Sequence, residues 1–258
     1  MMGGHHAISG TAAWMALAGS APVLGHVTGL DLWELAPSQV TTGAVVATGA
    51  ALLPDIDHPS GTISRSGGGL TKALTRAVSS AAGHRGATHT LLAVAIFTAL
   101  AVVIHRLDWQ VDLPVLGEVQ AGAALLVAAM CALGTRALKM VEGRWLPWAV
   151  GLAAGLLVAV IAPDTSFWLP AAVAVGALTH LVGDLLTTDG IPFPTWPLTV
   201  KPPKHLASGL WQRSGDIALP LLGDAGSARE WLLCTALTAY AAMTTVVTVA
   251  GAPWTLAT

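Results

Sequence analysis

The stretch Leu53-Pro54-Asp55-Ile56-Asp57-His58-Pro59 puts two carboxylates and an imidazole side by side, between prolines that stiffen the chain at both ends. Similar chemistry recurs at three other places. His5-His6 precedes the first apolar run, His84 and His89 flank Arg85-Gly86-Ala87-Thr88 ahead of another, and His180 is followed four residues later by Asp184. A spacing of four puts His180 and Asp184 on one side of a helix. Imidazoles and carboxylates without a cysteine spacing suit a divalent ion such as zinc, with manganese as the alternative. Asp55 and Asp57 either share one ion or serve two neighbouring ones.

The candidate metal ligands are therefore His6, Asp55, Asp57, His84, His89, His180 and Asp184, holding one or two ions. His5 and His58 are possible additional ligands, with His58 either ligating or only shaping the turn. Such an array resembles multi-metal hydrolytic sites, where ions activate water and neutralise phosphoryl oxygens. Arg85 lies inside the histidine motif, and its planar guanidinium can hold a phosphate through two hydrogen bonds. Asp57 is the candidate general base. Lys201, Lys204 and His205 follow a stiff proline-rich rim, Asp189 to Pro197, and are candidates to meet a lipid phosphate. The competing structural roles are a helix-to-helix hydrogen bond for His180 and Asp184, a helix cap for Asp55 or Asp57, and a headgroup anchor for Arg85.

These residues need elements that gather them, and the composition says what those are. Of 258 residues, 54% are apolar and 10% charged, against roughly a quarter charged in a soluble domain. Mean hydropathy is +0.68. Twenty-eight glycines and ten tryptophans suit close helix packing in a bilayer and interfacial anchoring. The net charge of −2 and the lack of a basic patch argue against nucleic acid. Apolar runs cover residues 7–27, 40–54, 90–105, 118–138, 145–161, 167–186 and 231–251, with a short amphipathic helix expected over 70–78. The second run is short for a full span, so it is either tilted or re-entrant.

The expected fold is all-α: a polytopic transmembrane bundle of about seven helices with its metal site at their cytoplasmic ends. It forms one membrane-embedded domain over 1–258, with the motifs in 5–197 and a C-terminal loop and last helix in 198–258. Counting seven spans places every lysine and arginine except Arg106 on the side of the N-terminus, which marks that side as cytoplasmic and leaves the C-terminus outside. All the ligand groups fall on that same side.

The motifs also carry a family resemblance. His6 with Gly10, Leu53 to Pro59, His84-Arg85-Gly86 with Thr88-His89, and His180-Leu181 with Asp184, Thr187 and Gly190 resemble the YdjM-type family of membrane-bound metal-dependent hydrolases of bacterial and archaeal inner membranes. The family's frequent serine after the last histidine of the second motif is Thr90 here. A looser similarity links that family to the zinc-dependent phospholipase C and P1-type nuclease fold. The resemblance implies phosphoester hydrolysis, and after Asp184 only His205 and Glu230 remain for that fold's later ligands. The expected function is hydrolysis of a lipid or amphipathic phosphoester by metal-activated water. The alternative is a metal-stabilised membrane scaffold or a metal carrier. A carrier wants its ligands near mid-membrane, which a one-sided cluster disfavours.

Overall fold

Pro37–Ala50 is composed almost wholly of small residues, with Gly43, Ala44, Ala47, Gly49 and Ala50 on successive turns. Such a helix has no single apolar face and can admit neighbours all round it. In the computed structural model it does so, as α2, packed between three other helices. The structure describes residues 1–20, 35–82, 86–107, 109–114, 117–161, 167–192 and 196–250.

The described residues form nine α-helices. These are α1 (Gly3–Trp14, continued by a π turn over Met15–Gly19), α2 (Pro37–Ala50), α3 (Thr62–Ser66), α4 (Gly69–Ala82) and α5 (Leu91–Arg106). They continue with α6 (Ala121–Ala137), α7 (Leu146–Ile161), α8 (Trp168–Leu185) and α9 (Ala228–Ala250). Helix α2 packs against α1, α6 and α8; α6 packs on α7, α5 on α8, and α9 on α1. Glycines set the spacing: a Cβ on Gly10 would lie 2.5 Å from the Ala47 carbonyl oxygen, and one on Gly176 would strike the same oxygen from α8. Trp14 fills the space beside Gly43 that a Cβ would need and donates its indole N–H to the Val40 carbonyl at 2.8 Å.

The apolar runs from 40 onward overlap these helices, whereas the end of the first run, 21–27, lies outside the described residues. Helix α2 has 14 residues, roughly 21 Å at 1.5 Å per residue and short of the hydrocarbon thickness. Among the described residues, two helices, α8 with 18 residues and α9 with 23, are long and apolar enough to cross a membrane; α5, α6 and α7 are shorter apolar helices. The connection after α5 holds a two-stranded antiparallel hairpin, β1 (Gln110–Leu113) with β2 (Gly117–Gln120). Two-residue strands β3 (Ile191–Pro192) and β4 (Asp216–Ile217) pair to tie down the long segment after α8.

Helix α4 covers the expected 70–78 stretch and turns Thr71, Thr75 and Val78 inward, while Lys72 and Arg76 stay exposed. Thr75 is buried, and Thr71 donates to the Ser64 carbonyl at 3.1 Å, whereas Leu70 and Leu74 face outward. An outward apolar stripe on an amphipathic helix fits a lipid interface rather than water.

Candidate metal centre

Four chain segments meet at one end of the helices. The start of α1 brings His6, a 3₁₀ turn over Pro54–Asp57 after α2 brings Asp55 and Asp57, a second over Ala87–His89 brings His89, and the last turns of α8 bring His180 and Asp184. Each arrives for a local reason. Helix α2 ends at Ala50 and the chain winds into the 3₁₀ turn at Pro54, which presents both aspartates. Thr90 caps α5 by accepting from the Ala93 amide at 3.2 Å, so the chain bends just after His89. Gly183 leaves room for the His6 ring, whose atoms would lie 3.2 Å from a Cβ there.

The polar atoms converge. His89 Nε2 and His180 Nε2 are 3.2 Å apart. Asp184 Oδ2 is 3.4 Å from His180 Nε2 and 3.5 Å from His89 Nε2. Asp55 Oδ1 is 3.8 Å from each imidazole nitrogen. Ligand atoms 2.0–2.1 Å from a shared tetrahedral ion are roughly 3.3 Å from one another. The measured separations cluster at that value, with Asp55 slightly outside it.

The hydrogen bonds behind the histidines fix how these nitrogens are presented. His180 Nδ1 donates to the Ala51 carbonyl at 2.7 Å. Thr88 donates its hydroxyl proton to Asp57 Oδ2 at 2.8 Å, so its oxygen accepts from His89 Nδ1 at 3.1 Å. With both protons on Nδ1, both Nε2 atoms direct lone pairs into the same small space. Facing lone pairs 3.2 Å apart inside a buried cluster call for a cation between them. The donor set therefore fits a divalent ion.

Asp184 serves two sides. Its Oδ1 is 3.1 Å from His6 Nε2 and 2.6 Å from the Met1 amino group, while Oδ2 faces the other histidines. His6 stacks on His180 with ring centroids 3.6 Å apart. His6, His180 and Asp184 form a second group that could hold an ion, an alternative to the first because both use His180 Nε2.

Comparison with known proteins agrees with the motifs. The model of the YdjM inner membrane protein family matches residues 1–254. The chain belongs to the YdjM inner membrane protein family. The inner membrane protein YdjM of Escherichia coli (strain K12) is 41% identical over 64 residues, 25% of this chain and 26% of the relative. The Shigella flexneri protein of that name matches to the same extent. The chain thus aligns with about a quarter of the length of these curated relatives. No solved structure matches.

In this YdjM-family chain, the sequence candidates divide into groups. His6, Asp55, His89, His180 and Asp184 lie together, and Asp57 sits behind His89, fully buried, with its Oδ2 3.7 Å from His89 Nδ1. That position makes Asp57 an orienting carboxylate and takes it away from the open edge, where a general base would meet water. Asp55 holds the edge instead, its side chain 23% exposed. Its Oδ1 lies against the Nε2 atoms of both His89 and His180, and as a ligand it would be ionised.

His5 turns away to Glu230, and His58 Nδ1 accepts from Ser60 at 3.2 Å; neither joins the ligand groups. Lys201, Lys204 and His205 are exposed on the segment after β3. His84 and Arg85 lie outside the described residues. The sequence reading did not anticipate Thr88 as the relay between His89 and Asp57, or the Ala51 carbonyl behind His180. It also missed the His5–Glu230 pair, although an acid opening the apolar helix α9 was a signal. Glu230 is buried and also accepts from the Met2 and Gly226 amides, both at 2.8 Å, which clamps α9 to the start of α1.

Proposed function

We propose that this protein is a metal-dependent hydrolase of the inner membrane, acting on a phosphoester of a lipid or amphipathic substrate. The observation that carries the reading is the pair of facing Nε2 atoms with Asp184 and Asp55 around them, open on the Asp55 side. A bound divalent ion, zinc or manganese, would polarise a phosphoryl oxygen and activate water there. His89, His180, Asp184 and Asp55 would hold it, with His6 beside Asp184 Oδ1. Asp57 and Thr88 fix the His89 ring, and the Ala51 carbonyl fixes His180. Asp55, 23% exposed, would be the ligand nearest the side from which water enters. Arg85 is proposed, from its place in the motif, to share the charge on the phosphoryl oxygens.

Seven spans, with the N-terminus and the metal cluster on the cytoplasmic side and the C-terminus outside, complete the proposal. Support comes from the segments that meet at the cluster, which join a helix start (α1), two turns and a helix end (α8) at one level. A distant relation to the phospholipase C and P1-type nuclease fold remains part of the reading through the family resemblance alone.

The experiment is a phosphorus NMR assay of zinc- and manganese-loaded protein in lipid nanodiscs, beside Asp184→Asn. Turnover of a phospholipid or lipid phosphate by the wild type, lost in the variant, is expected. Equal signals from wild type and variant, or none from either across the common lipid phosphoesters, would reject hydrolysis and leave the metal-stabilised scaffold.

A further inference from the structure

A cavity of about 980 Å³ opens where the starts of α1 and α9 meet α3 and the end of α6. Helix α1 turns His6 toward the metal cluster, while His5 lines this cavity. Three cations stand around it, Arg65, Arg136 and Lys139, against the single acid Glu142. None of the three is paired with a carboxylate among the described residues. Among the described residues Arg136 donates to the Gly143 carbonyl, at 3.3 Å. Ile8 and Trp231 supply apolar wall.

Three observations point to an occupant. His5 is 7% exposed, and its Nε2 has no hydrogen-bond partner, an arrangement that proteins rarely leave unanswered. Lys139 has φ 54°, the left-handed conformation that usually goes to glycine just after a helix; here the position carries a cation at the cavity instead. The wall formed by α9 belongs to a 23-residue apolar helix whose outer face is largely uncovered, and Trp231 at its start is 56% exposed. A tryptophan in that position suits the level of lipid headgroups.

We propose that this cavity binds an anionic phospholipid. Arg65, Arg136 and Lys139 hold the phosphate-bearing head, while Ile8, Trp231 and the outer face of α9 receive its acyl chains. The inference goes beyond the metal reading, and neither the cluster nor hydrolysis enters it.

The test is calorimetric titration of the full-length protein in neutral detergent with dioctanoyl phosphatidylglycerol, dioctanoyl phosphatidylcholine and inorganic phosphate. Phosphatidylglycerol should bind about tenfold or more tightly than phosphatidylcholine, since each cation near the lipid head contributes roughly fivefold. Millimolar phosphate should not displace it. Lys139→Gly removes a cation while suiting the backbone, so it should keep the thermal midpoint and weaken phosphatidylglycerol about fivefold. Arg136→Gln should weaken it similarly, and the exposed, distant Arg213→Gln should not. Equal binding of the two lipids, unchanged affinity in Lys139→Gly and Arg136→Gln, or the same loss in Arg213→Gln would overturn the proposal. Displacement of the lipid by phosphate would also overturn it, by showing a free-anion site.

Discussion

At the scale of the residue, the histidines matter through what stands behind them. Thr88 passes the orientation of Asp57 to His89, so its hydroxyl is worth more than its small size suggests. Loss of such an outer partner typically weakens metal binding 10- to 100-fold. Thr88→Val should therefore lower zinc affinity by about that factor in a chelator competition, and Thr88→Ser should restore most of it. His58→Ala should leave affinity unchanged, because His58 bonds Ser60 outside the cluster. Equal affinities in wild type and Thr88→Val would remove the relay. The ligand types and their grouping were legible in the sequence, since His180 and Asp184 had a helical spacing and the prolines framed Asp55 and Asp57. The partners behind them were not. A backbone carbonyl such as Ala51 becomes an acceptor only because α2 stops there, and no side-chain pattern encodes that. The choice between His5 and His6 likewise depended on the rotation of α1, which places one on Glu230 and the other on Asp184.

At the scale of the element, close approach of helices positions the ligands. Helix α1 reaches α2 through Gly10, and a Cβ there would overlap the Ala47 backbone. Gly10→Ala should cost about 1–3 kcal/mol, the usual penalty for overpacking, read as a lower thermal midpoint in detergent. It should also weaken metal binding, because His6 rides on the same helix. An unchanged midpoint would show that α1 does not depend on this contact. Helix positions were legible because apolar runs mark them: the runs at 145–161 and 167–186 differ from α7 and α8 by a residue at their ends. The β1–β2 hairpin was not. Its four-residue strands alternate too briefly to stand out, and its register depends on pairing across the turn.

At the scale of the molecule, a short helix α2 surrounded by others gathers the cluster at one end of the helices. If that end is cytoplasmic, as the basic residues imply, Lys72→Cys on the exposed side of α4 should resist an impermeant thiol reagent added to intact cells. Trp109→Cys, exposed beyond α5, should react. The native Cys131 and Cys234 are buried and give a low background. External labelling at position 72 would reverse the orientation or break the span count. Hydropathy and charge gave the expectation of one side for all the ligand groups; the separations between them were not legible, because they depend on glycine contacts that bring α1 and α8 onto α2.

His89, His180, Asp184 and Asp55 are proposed to enclose a divalent ion. The most direct measurement is the metal-to-protein ratio of the purified full chain by elemental mass spectrometry, beside Asp184→Asn and His180→Gln. At least about one equivalent of zinc or manganese is expected in the wild type, with ligands at roughly 2.0–2.2 Å, and its near loss in both variants. A wild type that stays free of metal after exposure to both ions, or variants that retain the full equivalent, would contradict it.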